Sequence, residues 1–158
     1  MKNQKGMGQI MLILCVIVII AIIVGIIYFL TTKLQEEKKQ NYETDMLLIQ
    51  GRIKIIAQEA TIQKKDELLK GRKLEENTEE EKIKKLLENN IISKEEENFS
   101  KYYILEKQTL EEMGLSNINL NNGYYIVNYE TDEIIYSKGI KIEQNTYYKL
   151  SELKELSK

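Results

Sequence analysis

The stretch YETDMLLIQGRIKIIAQEATI, residues 42–62, decides the fold. Tyr42, Ile49 and Ile56 recur every seven residues, and so do Met46, Ile53 and Ala60, the two sets interlocking at spacings of three and four. That rhythm is an amphipathic helix with one apolar stripe. A third set, Leu48, Ile55 and Ile62, repeats at the same interval and widens the apolar arc beyond a two-stranded coiled-coil seam. Such a helix suits burial against a sheet on one side and a partner on another.

Moving toward the N-terminus, Ile10–Leu30 holds neither charge nor proline. At a helical rise of 1.5 Å per residue this run covers roughly 31 Å, about the thickness of a hydrocarbon core, and reads as a single transmembrane helix. The small residues of a secretory cleavage site do not follow it; YFLTTKLQEE does, so the anchor is expected to stay attached. A lone strand would leave its backbone unsatisfied in lipid, so the β-branched isoleucines do not argue against helix. From Thr31 to Leu69 there is no proline and no turn cluster, and the helical signal continues unbroken from the apolar run, a rod of about 90 Å if straight. Cys15, the only cysteine, follows Leu14, where a lipid-modified cysteine would need a small residue; it reads as an apolar side chain in lipid. Lys2 and Lys5 before the run balance Lys33, Lys38 and Lys39 after it, so charge leaves the orientation open.

Toward the C-terminus, LKGRKLEENTEEE ends the pattern, with Gly71 as the expected helix terminator. Thr78 with Glu81 forms a capping box for a short helix through EKIKKLLENN, and Ser93 with Glu96 repeats it. KYYILE reads as a strand, and QTLEEMGL as a short helix closed by Gly114 with Leu115 folding back. In NINLNNGYYIVNYETDEIIYSKG, Asn122-Gly123 between two alternating runs is a hairpin signal and ETDE a second turn, giving three antiparallel strands. IKIE and TYYKL are candidate edge strands, and LSELKELSK a closing helix. The pairs Tyr102/Tyr103, Tyr124/Tyr125 and Tyr147/Tyr148 should each send one ring to the core and one to the surface. The expected class is α+β: a long N-terminal helix, transmembrane and then amphipathic, packed on a small antiparallel sheet. The boundaries fall at residues 1–6 for a basic leader, 7–30 for the transmembrane helix, 31–69 for the amphipathic stalk continuing into the domain, and 70–158 for the small α+β domain.

The residue inventory argues against enzyme chemistry. Histidine, tryptophan and proline are absent, so with one cysteine neither a disulfide within the chain nor a Cys/His zinc site can form, and no metal or other cofactor is expected. Neither a Gly-rich phosphate loop nor a nucleophile elbow is present. The glutamate runs read as solvated helix faces, and Asn98-Phe99-Ser100 matches a glycosylation acceptor by chance-level pattern alone. Leu74–Lys158 carries eleven basic and eighteen acidic residues, a balance unsuited to nucleic acid.

The leader KNQKG followed by Met7, the apolar helix, its amphipathic continuation and the late sheet together resemble the type IV pilin and pseudopilin family, and GYYIVNYETDEIIYSKG is similar to the hairpin that ends many pilin-like proteins of Gram-positive bacteria. The resemblance implies that a prepilin peptidase cuts after Gly6, that Met7 becomes the N-terminus, and that the domain sits outside a cell membrane crossed once from a cytoplasmic N-terminus. It implies a structural subunit of a type IV pilus, competence or type II secretion-like assembly, packed against related subunits through the N-terminal helix, with Tyr42, Met46, Ile49, Ile53, Ile56 and Ala60 as its helix-packing stripe. The family's glutamate at the fifth mature position is replaced by Met11, and Gly8 and Gln9 stand where a hydroxyl residue and leucine are usual, which favours a minor subunit. The alternative from the residues alone is a single-pass membrane adaptor or sensor whose α+β domain binds a partner or ligand.

Overall fold

The computed structural model describes residues 4–75, 81–92 and 100–156, with side chains from Met11 onward. Helix α1 runs Gln4–Gln63. The chain divides into two compact units, Met1–Lys38 and Lys39–Lys158. In the first, α1 is the one described element; in the second, its remaining turns pack on a five-stranded antiparallel sheet.

Helix α1 stops six residues earlier than Leu69. Lys64 takes a left-handed backbone, φ 54°. The Lys65 N–H bonds the Ala60 carbonyl at 3.0 Å and the Lys64 N–H that of Thr61 at 3.3 Å, closing the last carbonyls in a Schellman motif. A single 3-10 turn, Asp66–Leu68, follows. Gly71 therefore does not end the helix. It has φ 108°, and a Cβ there would stand 2.8 Å from both the Ile104 carbonyl oxygen and Leu105 Cδ2, so its role is to let the chain pass close to the sheet.

Strand β1 (Arg72–Lys73), helix α2 (Glu81–Glu88), β2 (Tyr102–Leu105), α3 (Lys107–Glu112), β3 (Tyr125–Asn128), β4 (Glu133–Ile142), β5 (Asn145–Lys149) and α4 (Leu150–Glu155) complete the described elements. The strands lie side by side in chain order. Gly114, φ 76°, ends α3 as expected, with the Leu115 N–H reaching back to the Leu110 carbonyl at 2.8 Å. Thr78, Ser93, Glu96, Asn98 and Phe99 lie outside the described residues.

The ETDE turn joins β3 to β4, with Asn128 Oδ1 accepting from the N–H groups of Glu130 and Thr131 and Asp132 at φ 57°. The Asn122-Gly123 signal does not make a hairpin. Asn121 and Asn122 both have positive φ and Gly123 N–H bonds Leu120 O at 2.6 Å, a tight turn. Its incoming arm NINL is irregular, because β2 occupies the edge of β3 that NINL would need: Tyr103 pairs with Val127 and Ile104 with Ile126. IKIE belongs to the end of β4 and the next turn, and TYYK of TYYKL to β5, Leu150 opening α4, with the register of β4 on β5 shifting between Ile135 and Ile140. Gly139, φ 66°, lies within that shift.

Both faces of the sheet are covered. On one, Met46, Ile49, Ile53 and Ile56 of α1 pack with Leu105, Tyr125, Val127, Ile134 and Tyr136, joined by Leu150 and Leu153 of α4. On the other, Ile83 and Leu86 of α2 pack with Leu74, Ile92, Ile104, Ile126 and Ile135. The tyrosine pairs do split across the sheet, but the second ring of each meets this second core and not open water: Tyr103, Tyr125 and Tyr147 join the first cluster, Tyr102, Tyr124 and Tyr148 the second. The short helix through EKIKKLLENN is present as expected, but its two buried residues, Ile83 and Leu86, three apart on a charged segment, give no sign in the sequence that it covers the sheet's outer face.

Candidate functional surfaces of the N-terminal helix

Within the first unit the apolar residues are exposed on every side of the helix. From Met11 to Leu30 the large hydrophobic side chains range from 46% exposed at Val16 to 74% at Tyr28. A helix that packs in a groove shows one apolar stripe; one that is apolar all round needs an apolar surrounding. By length and composition this is one helix, near the N-terminus, able to cross a membrane. Gly6 and Met7 lie on its backbone, their side chains outside the described set, and residues 1–3 of the leader are outside it altogether. Cys15 is a free thiol, exposed on the same helix.

The run ends in polar groups that are already satisfied. Thr31 Oγ1 donates to the carbonyls of Ile27 (2.9 Å) or Tyr28 (2.8 Å), and Thr32 Oγ1 to that of Tyr28 at 3.0 Å. The Lys33 ammonium sits 4.8 Å from the centre of the Phe29 ring.

In the second unit the stripe residues come together as a set. Met46, Ile49, Ile53, Ile56 and Ala60 are all buried, and Tyr42, half-buried, packs at their edge. For Tyr42, Met46, Ile49, Ile53 and Ile56 the partners lie in the core over the chain's own sheet. The Tyr42 ring lies 5.1 Å from that of Tyr136, which lies 5.1 Å from that of Tyr125, so three rings step from α1 to β4 to β3. Asn121 Nδ2 donates to Tyr42 Oη at 2.8 Å, and Tyr136 Oη to the Leu120 carbonyl at 2.8 Å, tying the NINL loop to the same place. Leu48, Ile55 and Ile62 stay outside, 53%, 55% and 82% exposed. The three sevenfold sets thus divide: two bury against the sheet and the third faces away.

Polar contacts that the sequence does not announce fix α1 against the C-terminal elements. Gln50 Nε2 donates to the Asp132 carbonyl at 2.7 Å, Lys154 Nζ donates to Gln50 Oε1 at 3.0 Å, and Lys54 pairs with Asp132 at 3.6 Å. These partners stand more than seventy residues apart in the chain, so no local pattern could have linked them. Partial burial lifts the Asp45 carboxyl above the ordinary carboxylate value, opposed by a hydrogen bond from the Asn119 backbone. Burial also pushes the Tyr129 phenol up to about 12, again opposed by hydrogen bonding to the Lys70 backbone. Among the described residues no three His, Cys, Asp or Glu side chains gather as metal ligands.

No protein-family model, curated protein or solved structure matches the chain.

Proposed function

We infer that the protein is a membrane-anchored structural subunit of pilin-like type, a minor component of a type IV pilus, competence or type II secretion-like assembly. The observation that carries the reading is one helix with two jobs: apolar on every side from Met11 to Leu30, then one-sidedly apolar and packed by Met46, Ile49 and Ile53 on an antiparallel sheet. A prepilin peptidase would cut after Gly6 and leave Met7 first. Met11 cannot make the buried charge pair that the family's glutamate makes with a neighbour's N-terminus, and for that reason the role is a minor one. Contact with related subunits falls to the apolar span and to Leu48, Ile55 and Ile62, because Tyr42, Met46, Ile49, Ile53 and Ile56 of the stripe are taken up by the core over the chain's own sheet.

The domain lies outside the cell in this reading. A cysteine placed at Ser157, in a chain whose Cys15 is replaced by alanine, should react with an impermeant thiol reagent added to intact cells stripped of wall. Labelling only from the cytoplasmic side would end the pilin reading and leave the adaptor or sensor.

A further inference from the structure

The geometry points to the helical turn Tyr28–Lys33 as the membrane boundary of this protein, seated in the headgroup layer of a phospholipid bilayer, with the Lys33 ammonium on a lipid phosphate. The inference rests on the membrane-anchor part of the proposed function and adds to it where the bilayer stops.

Four features of the turn carry it. Tyr28 is the most exposed large hydrophobic residue between Met11 and Leu34, and tyrosine places an apolar body and a polar tip where lipid meets water. Thr31 and Thr32 return their hydroxyl protons to the carbonyls of Ile27 and Tyr28, so neither brings an unsatisfied donor to the edge of the hydrocarbon. Lys33 is the first charge after Lys5. Its ammonium lies over the Phe29 ring, a cation–π contact that holds the charge against the last aromatic residue of the apolar run. Before any assembly the occupant is lipid, because the apolar residues between Met11 and Leu30 lie on every side of the helix and none is sorted toward a protein groove.

Counting back from Thr31, a core about 30 Å thick takes about 20 residues and ends near Met11. Cys15 then lies roughly 24 Å below the boundary, inside the hydrocarbon.

The test uses the full chain in phosphatidylethanolamine–phosphatidylglycerol vesicles, with an impermeant maleimide both inside and outside so that orientation does not matter. The native Cys15 should be protected. In the Cys15→Ala background, Ile26→Cys should be protected and Leu34→Cys labelled. Adding Lys33→Leu to Leu34→Cys lengthens the apolar run, and labelling at Leu34 should be lost. Protection at Leu34 in the presence of Lys33, or labelling there that Lys33→Leu leaves unchanged, overturns the placement while the anchor stands. Release of the chain by alkaline carbonate, with equal labelling at all three positions, overturns the anchor as well.

Discussion

Tyr125 and Tyr129 stand four residues apart and use their hydroxyls in opposite ways. Tyr125 is fully buried and its hydroxyl finds no hydrogen-bond partner among the described residues. Tyr129 Oη accepts from the Lys70 N–H at 3.0 Å and donates to the Lys70 carbonyl at 2.8 Å, holding the segment after α1. Removing an unsatisfied buried group relieves a desolvation cost, whereas removing a shared one strands its partners. Tyr125→Phe should therefore leave stability unchanged or raise it by up to about 1 kcal/mol, and Tyr129→Phe should lower it by about 1–2 kcal/mol, read by urea unfolding of the full chain in detergent. The stripe gives a second contrast: Ile53→Ala should cost about 2–4 kcal/mol and Ile55→Ala within about 0.5 kcal/mol, although both are isoleucines two residues apart on one helix. Asp45 gives a pH dependence. Its carboxyl titrates higher in the fold than the usual 3.8, so the folded chain holds this proton more tightly than the unfolded chain does. Ionisation is thus penalised at neutral pH, and the penalty is relieved as pH falls through the raised value toward 3.8. Asp45→Asn should raise stability at pH 7 and remove that part of the acid-side gain; a variant with an unchanged pH profile would show that Asp45 does not supply it.

At the scale of elements, what could be read from sequence was what neighbours in the chain decide. The seven-residue spacing placed α1, Gly114 ended α3, and ETDE turned β3 into β4, because each depends on a few adjacent residues. Three of the described helices end with a left-handed residue, but only one of the three is glycine: Lys64, Asn90 and Gly114. Lysine announces nothing about a left-handed backbone, so Gly71 drew the boundary in its place. Glycine at position 64 would relieve the steric cost of a Cβ in that conformation, and Lys64→Gly should stabilise the domain by about 1 kcal/mol; destabilisation would contradict the cap. NINL failed as a strand for a different reason. Which strand sits beside β3 is settled by Tyr102–Leu105, some twenty residues earlier, and a local turn signal carries no information about that choice. The same non-locality hid the contact of Gln50 with Asp132 and Lys154.

At the scale of the whole molecule, one helix changes the solvent it is written for. Up to Leu30 its side chains are suited to an apolar surrounding on all sides, and from Tyr42 they are sorted between a core and water. The change was legible because it is a change of period, from unbroken to one in three or four. The two-sided core was not, since only the sheet's position between α1 and α2 gives the outward tyrosines a second core to pack on. The part of the candidate surface that faces away, Leu48, Ile55 and Ile62, emerged only when the fold showed which sevenfold set the sheet leaves free. Double replacement of Ile49 and Ile53 by aspartate would unfold the domain before it reported on partners, whereas Leu48→Asp with Ile55→Asp should leave the fold intact and weaken recovery of partner subunits after cross-linking. The most direct measurement is the mass of the N-terminal peptide of the protein isolated from its own cells. A chain beginning at Met7, with a methylated amine, is the predicted result and would mean that a prepilin peptidase has acted on it. An intact leader beginning at Met1 would contradict the pilin-like reading and leave a plain membrane anchor.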